Sequence, residues 1–264
     1  MSLLKVAIIQ SRIIWQDKQA NYEWFASRIQ SIIGHVDLIV LPEMFNTGFS
    51  MQAAELAEPM EHTAMQWMHR MASMKSCAVT GSLIIKENGN YFNRLIWMLP
   101  DGTYEYYDKR HLFRMASEHE HFRAGNSRLV INYKGWRICP LICYDLRFPV
   151  WSRNRFQSNS FDYDLLIYVA NWPERRALAW QSLLPARAIE NLTYVIGVNR
   201  IGVDGNQVSY SGDSAVLNFI GEKISRTERY GDRVEVIELD KSALAQFRLT
   251  FPAGIDADDF TLQV

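Results

Sequence analysis

The chain has 264 residues, with 28 Lys and Arg against 29 Asp and Glu and a formal net charge of −1. It therefore has no basic excess with which to neutralise a phosphate backbone, and nucleic acid is not an expected partner. No apolar run approaches the ~20 residues of a membrane span, the opening MSLLKVAIIQ lacks an export signal, and Cys77, Cys139 and Cys143 form no disulfide framework, which together read as a soluble cytoplasmic protein with free thiols.

Strand and helix patterns alternate from the start. KVAIIQ (5–10) is a short apolar strand, after which Tyr22, Phe25, Ile29 and Ile32 recur at helical spacing between a capping Asp17 and Gly34. DLIVLPE (37–43) has the length and branching of a buried strand, a helix is predicted over 63–75, and CAVTGSLII (77–85) is the next strand. Turn residues at Asn88-Gly89-Asn90 and Pro100-Asp101-Gly102 bound two more strands, the second around 103–107. In the second half RLVINY and WRICPLIC read as a hairpin over Lys134-Gly135, DLLIYVAN (164–171) as a buried strand, 176–191 as a helix, and TYVIGVNR (193–200) as a strand. Asp204-Gly205-Asn206 and Gly231-Asp232 mark hairpins in the last third, ahead of a short helix and a polar tail. No linker, low-complexity tract or repeat divides the chain, so one domain over 1–264 is expected. Helices alternating with mixed strands imply a layered α/β sandwich rather than a wholly parallel sheet.

Chemically capable side chains stand at the carboxyl ends of apolar strands, where a sheet presents residues to a crevice. Glu43 follows LIVLP, Cys143 follows ICPLI, Asn171 follows LLIYVA, and Lys109 comes just after the strand around 103–107. Each alone has an ordinary structural reading as a helix cap, core thiol or solvated lysine. Together a carboxylate, an ammonium and a thiol supply the base, the oxyanion-stabilising charge and the attacking group of acyl transfer. Histidine is not the expected base, because His35, His62, His69, His111, His119 and His121 all precede Cys143 and no Gln-Ala-Cys-x-Gly context is present. EHEH (118–121) puts histidines two apart on a predicted loop, which matches no metal-binding spacing, and no glycine-rich phosphate cradle occurs; neither metal nor cofactor is expected.

LPEMF around Glu43, YYDKRHLF around Lys109, LICYDLRFP around Cys143 and LPARAIEN at 184–191 follow one another along nearly the whole chain. In these motifs and their order the sequence resembles the nitrilase superfamily of carbon–nitrogen hydrolases. The resemblance implies a four-layer αββα sandwich and a Glu-Lys-Cys triad of Glu43, Lys109 and Cys143. It also implies a second glutamate seven positions before a glycine, which Glu118 and Gly125 satisfy, Glu120 being the less favoured match. ANWPERRALAWQSLLPARAIEN and the closing DADDFTL are similar to the bacterial omega-amidases, which hydrolyse the terminal amide of 2-oxoglutaramate and related short dicarboxylic monoamides.

In the chemistry so implied, Glu43 takes the thiol proton, Lys109 favours the thiolate, and the oxyanion lies between Lys109 and the Tyr144 backbone N–H. Glu118 positions the amide and holds Lys109. Phe45, Tyr144 and Trp172 are candidate pocket walls beside Asn171, and Arg175 or Arg176 is the candidate partner of a substrate carboxylate. Asp145 and Arg147 either touch substrate or form a structural ion pair. The partners implied are a small amide substrate and a second copy of the chain, in a homodimer or larger assembly. Two other readings stay open: an N-carbamoyl amino acid amidohydrolase or nitrilase of the same superfamily, and a noncatalytic scaffold, against which the intact triad argues.

Overall fold

A computed structural model describes residues 3–262. β1 (Leu3–Gln10) leads to α1 (Lys18–Gln30), where Asp17 accepts the Ala20 backbone N–H at 3.0 Å and satisfies one amide that a helix start leaves open. There follow β2 (Leu38–Val40), α2 (Ala53–Leu56), α3 (Thr63–Lys75), β3 (Ala78–Glu87), β4 (Asn90–Met98), β5 (Tyr104–Asp108) and α4 (Glu118–His121). The second half contains β6 (Ile131–Tyr133), β7 (Trp136–Ile142), α5 (Pro149–Ser152), β8 (Phe156–Gln157), β9 (Ser160–Phe161), β10 (Leu165–Ala170) and α6 (Ala177–Asn191). It closes with β11 (Tyr194–Asn199), β12 (Ile201–Val203), β13 (Ser209–Ser211), β14 (Ala215–Leu217), β15 (Arg233–Asp240) and α7 (Lys241–Thr250).

Two mixed sheets form the centre. The six-stranded sheet has the order β15-β1-β2-β3-β4-β5 and the five-stranded sheet the order β14-β11-β10-β7-β6. Each has a parallel middle, β1-β2-β3 or β7-β10-β11, flanked by antiparallel strands. Side-chain alternation along β1 shows the layering. Leu4, Val6 and Ile8 join the core shared with the second sheet, whereas Ala7 and Ile9 join the core under Phe25 and Ile29 of α1 and Met68 and Met71 of α3. On the far side Trp180, Leu184 and Ala188 of α6 cover the second sheet. A Cβ at Gly197 in β11 would stand 2.6 Å from Leu184 Cδ1, so glycine is what allows α6 to approach this closely. The order of layers is α, β, β, α, as the resemblance to the nitrilase superfamily implied.

The predicted helix over 63–75 and the Lys134-Gly135 hairpin are present. Lys134 and Gly135 both have positive φ, 48° and 80°, as a two-residue turn between twisted strands requires. Three expectations change. The strand expected over 37–43 is regular only at Leu38–Val40, because Pro42 has no N–H to donate to a ladder. EHEH forms the short helix α4 rather than a loop, since Ser117, at φ 55°, reverses the chain just before it. The strand after Gly231-Asp232 forms no local hairpin: β15 pairs antiparallel with β1 along its whole length, Leu3 opposite Asp240.

β2 and β5 run in one direction in the first sheet, and β7 and β10 in one direction in the second. The carboxyl ends of these four strands meet at one edge of the sandwich.

Candidate active site

Each strand end at that edge turns sharply. After β2 the chain reaches Glu43 and then Met44, whose φ of 44° bends it so that the Met44 and Phe45 amides bond to the Ser82 hydroxyl and carbonyl, at 2.9 and 3.3 Å. After β5 comes Lys109, its N–H on the Asn93 carbonyl at 3.0 Å and its own carbonyl accepting the Gly125 N–H at 3.0 Å. Segment 109–125 is thus a closed loop that carries Glu118 back over the lysine. Its closure depends on Gly125, where a Cβ would lie 2.2 Å from the Asp108 carbonyl oxygen.

After β7, Cys143 has φ 46° and opens a tight 3-10 turn, Cys143–Arg147. A non-glycine residue in the left-handed region costs on the order of 1–3 kcal/mol, so the turn needs support. Arg187 of α6, from the LPARAIEN motif, is buried and donates to the Leu146 carbonyl at 2.6 Å. Asp145, fully buried, accepts the Ile142 N–H at 3.0 Å and the Tyr107 hydroxyl at 2.8 Å. Asp145 is therefore a structural brace, and its sequence position two residues after Cys143 did not distinguish that role from substrate contact.

The Lys109 ammonium lies 2.9 Å from Glu43 Oε1 and 3.0 and 2.9 Å from the two oxygens of Glu118. None of the three side chains has accessible surface. Desolvating each charge costs several kcal/mol unless hydrogen bonds complete its coordination, and they do. Asn93 Nδ2 donates to Glu43 at 2.8 Å and to Glu118 at 3.2 Å, the Phe113 N–H to Glu118 at 2.5 Å, and the Asn171 N–H to Glu43 Oε2 at 2.8 Å. Asn93 was missed in the sequence, where, in the mixed strand NYFNRLIWM beside Arg94, it carries no distinguishing signal.

These contacts set the protonation states. Burial opposes the Lys109 charge, but Glu118 and Glu43 outweigh it and hold the ammonium above its ordinary range. Burial raises Glu118 as well, with Glu43 adding to the effect and Lys109 opposing it. For Cys143 burial is again the main cause, and Glu43, which faces the thiol, adds to it; Lys109 opposes but does not prevail. The thiol is pushed up, so it rests protonated. Lys109 does favour the thiolate, as expected, but burial and Glu43 outweigh it.

Cys143 and Lys109 open onto a cavity of about 260 Å³, shared with Tyr144, Asn171 and Trp172 and walled by Phe49, Met51, Phe113 and Met115. Arg147, Arg175 and Arg176 line it too, the first two exposed at its mouth. Among the described residues none of the three arginines forms a salt bridge. Phe45 is not a wall. It is fully buried in the core beneath the first sheet, its ring centroid 5.7 Å from Phe25 and 5.3 Å from Trp67, because the turn at Met44 directs it to the helix side. Phe49, four residues on, lines the cavity in its place.

A four-layer sandwich that brings a carboxylate, an ammonium and a thiol together at adjoining strand ends is the architecture of a nitrilase-type hydrolase. The carbon–nitrogen hydrolase family model matches residues 5–249, and the chain belongs to that family. It is 47% identical over 260 residues to omega-amidase YafV of Escherichia coli K12, covering 98% of each chain. It is 31% identical over 225 residues to a 2-oxoglutaramate amidase of Bacillus subtilis 168, covering 84% of this chain and 85% of the relative. The crystal structure of XC1258 from Xanthomonas campestris, a CN-hydrolase superfamily protein with an arsenic adduct in its active site, superposes with a TM-score of 0.96 at 45% identity over all of both chains.

Two outcomes are expected of this site. Cys77 and Cys139 are fully buried, their thiols pushed up to about 12 chiefly by burial, whereas Cys143 reaches the cavity. Iodoacetamide should therefore label Cys143 first, at a rate that climbs steadily from about pH 6 to about pH 9 because the thiol is protonated across that range. A plateau near pH 7, read by peptide mass mapping, would mean a preformed thiolate. Lys109→Met, which leaves two buried carboxylates facing each other, should lower stability in urea by ~3–5 kcal/mol, and adding Glu118→Gln should restore part of the loss. A single variant as stable as the parent would contradict the charge cluster.

Proposed function

We propose that this chain is an omega-amidase, hydrolysing the terminal amide of short dicarboxylic acid monoamides such as 2-oxoglutaramate to the acid and ammonia through a thioester on Cys143. The observation that carries the reading is a small cavity holding Cys143 against Glu43 and Lys109, with three arginines at its side that bind no carboxylate among the described residues. The names of the relatives from Escherichia coli and Bacillus subtilis point the same way. In this reading the chain is one hydrolase domain.

Glu43 takes the Cys143 proton as the sulfur attacks the amide carbon, so base and nucleophile act together rather than from a standing thiolate. The oxyanion forms between the Lys109 ammonium and the Tyr144 backbone N–H; removing one such donor typically costs about 2.7–4 kcal/mol of transition-state stabilisation. Glu43 then passes its proton to the departing amine, and ammonia leaves with the thioester in place. Water, deprotonated by Glu43, attacks the thioester carbon; the proton returns to the sulfur and the acid departs. Glu118 holds Lys109 from the other side and orients the amide.

Arg176 is the better of the two candidate carboxylate readers. It is half-buried, with its guanidinium 5.1 Å from the Phe113 ring centroid and Nη2 3.4 Å from Met115 Sδ, while buried Nη1 has no partner among the described residues. Burial, then Arg175 and Arg147, lower its affinity for its proton, a crowding of cations that a substrate carboxylate relieves. Arg175 is exposed. The exposed Leu178 and Ile189 of α6 support a homo-oligomer, for which light scattering should give at least a dimer. Three unpaired cysteines support a cytoplasmic setting.

Cys143→Ala should abolish turnover, and Cys143→Ser should recover little of it. 2-Oxoglutaramate or succinamate should be hydrolysed ~10²-fold or more faster than butyramide in kcat/KM, because a neutral analogue leaves the arginine unpaired. Arg176→Met should erase most of that preference while sparing butyramide. Equal rates for acid and neutral amides, or a preference for an N-carbamoyl amino acid or a nitrile, would replace the omega-amidase reading with another activity of the same family.

A further inference from the structure

Lys109 and Cys143 arise from different sheets, and two backbone segments must be held together for the ammonium and the sulfur to face one substrate. Lys109 follows β5 of the first sheet, and Cys143 follows β7 of the second. Two residues beyond each of them the segments are joined. The Asp145 Oδ1 atom accepts both the backbone N–H of His111, at 3.0 Å, and its ring Nδ1, at 2.8 Å. A carboxylate oxygen can only accept, so Nδ1 carries the proton. The other Asp145 oxygen takes the Tyr107 hydroxyl at 2.8 Å and the Ile142 N–H at 3.0 Å. Asp145 thus ties the start of its own turn to residues on both sides of Lys109. The His111 ring is kept in plane for this contact by Phe148, stacked on it with centroids 3.8 Å apart and 6° between planes, and by the edge of Trp151 at 6.1 Å.

We propose that His111 is a positioning residue for amide hydrolysis: through its Nδ1–H on Asp145 it fixes the left-handed turn of Cys143, and with it the Tyr144 N–H, relative to Lys109. His111 touches neither the substrate nor the sulfur. Its ring adds a second donor to Asp145 Oδ1, and without it that oxygen is held across the two segments by the His111 amide alone, a looser tie. The turn then loses its registry with Lys109, and the oxyanion is met by one donor well and by the other poorly. Substrate binding, which depends on the cavity walls and the arginines, is unaffected. The proposal rests on Cys143 as nucleophile.

The test compares His111→Phe, His111→Asn and His111→Gln with the parent and with Cys143→Ala, using succinamate as substrate. The Phe variant keeps the stack on Phe148 and loses the donor; it should fold, keep KM, and lose about 10- to 100-fold in kcat, the scale of a small misplacement of reacting groups. Iodoacetamide modification of Cys143 should slow in the same variant. Asn places an amide N–H near the position of Nδ1 and should recover most of kcat, whereas Gln, which reaches past Asp145, should behave like Phe. Parental kcat in His111→Phe or in His111→Gln, or an Asn variant no better than Gln, would overturn the proposal. Should the Phe variant fail to fold, the Asn and Gln pair decides by the same comparison. Turnover by Cys143→Ala would overturn the thioester reading itself, a result distinct from any obtained with His111.

Discussion

A buried ammonium between two buried carboxylates is the constraint around which the rest of this structure is arranged. Lys109, Glu43 and Glu118 have no access to water, and desolvated ions are tolerated only where every lone pair and proton finds a partner. That requirement reaches far into the fold. Asn93 comes from the middle of β4, the Asn171 amide from the end of β10 in the other sheet, and the Phe113 amide from the loop that Gly125 closes. The two sheets are locked together at this edge by the partners of one charge cluster, and the cavity floor is rigid for the same reason.

The same burial determines the acid–base chemistry. A thiol beside an ammonium would ordinarily ionise readily, but here two carboxylates and the low-dielectric surroundings outweigh one lysine, and the thiol keeps its proton. In the proposed mechanism a carboxylate facing a neutral thiol acts as general base only when an acceptor carbon is present, which couples reactivity to the arrival of substrate. In that same proposed mechanism Lys109 is a charge reserved for the oxyanion, its attraction being realised most fully where negative charge develops during the reaction.

Specificity is built on different parts. The turn at Cys143 follows a strand end and is braced by Arg187, Asp145 and Tyr107, whereas Arg175, Arg176 and the aromatic walls Phe49, Phe113 and Trp172 stand on connecting segments beyond the strands. Chemistry on rigid elements and recognition on connecting segments is how one family supports several substrates. Arg176 is crowded by two other guanidiniums and held by Phe113 and Met115, which is where the proposed reading seats a substrate carboxylate.

Local order was readable from the chain because it depends on near neighbours. The helix at Thr63–Lys75, the Asp17 cap, the Lys134-Gly135 turn and the placement of Glu43, Cys143 and Asn171 after apolar runs, with Lys109 just after a strand, all follow from periodicity and turn chemistry. What depended on distant partners was not readable. Phe45 and Phe49 are equally apolar, and only the φ of Met44 sends one to the core and the other to the cavity. Asn93 is an ordinary polar residue of a mixed strand until Glu43, fifty residues earlier, and Glu118, twenty-five later, converge on its amide. Asp145 and His111 are thirty-four residues apart and follow strands of different sheets. Residue type and local spacing established which groups were available for chemistry; three-dimensional packing established which of them face one another and in what protonation state, because Coulomb energies and desolvation depend on distances through space rather than along the chain.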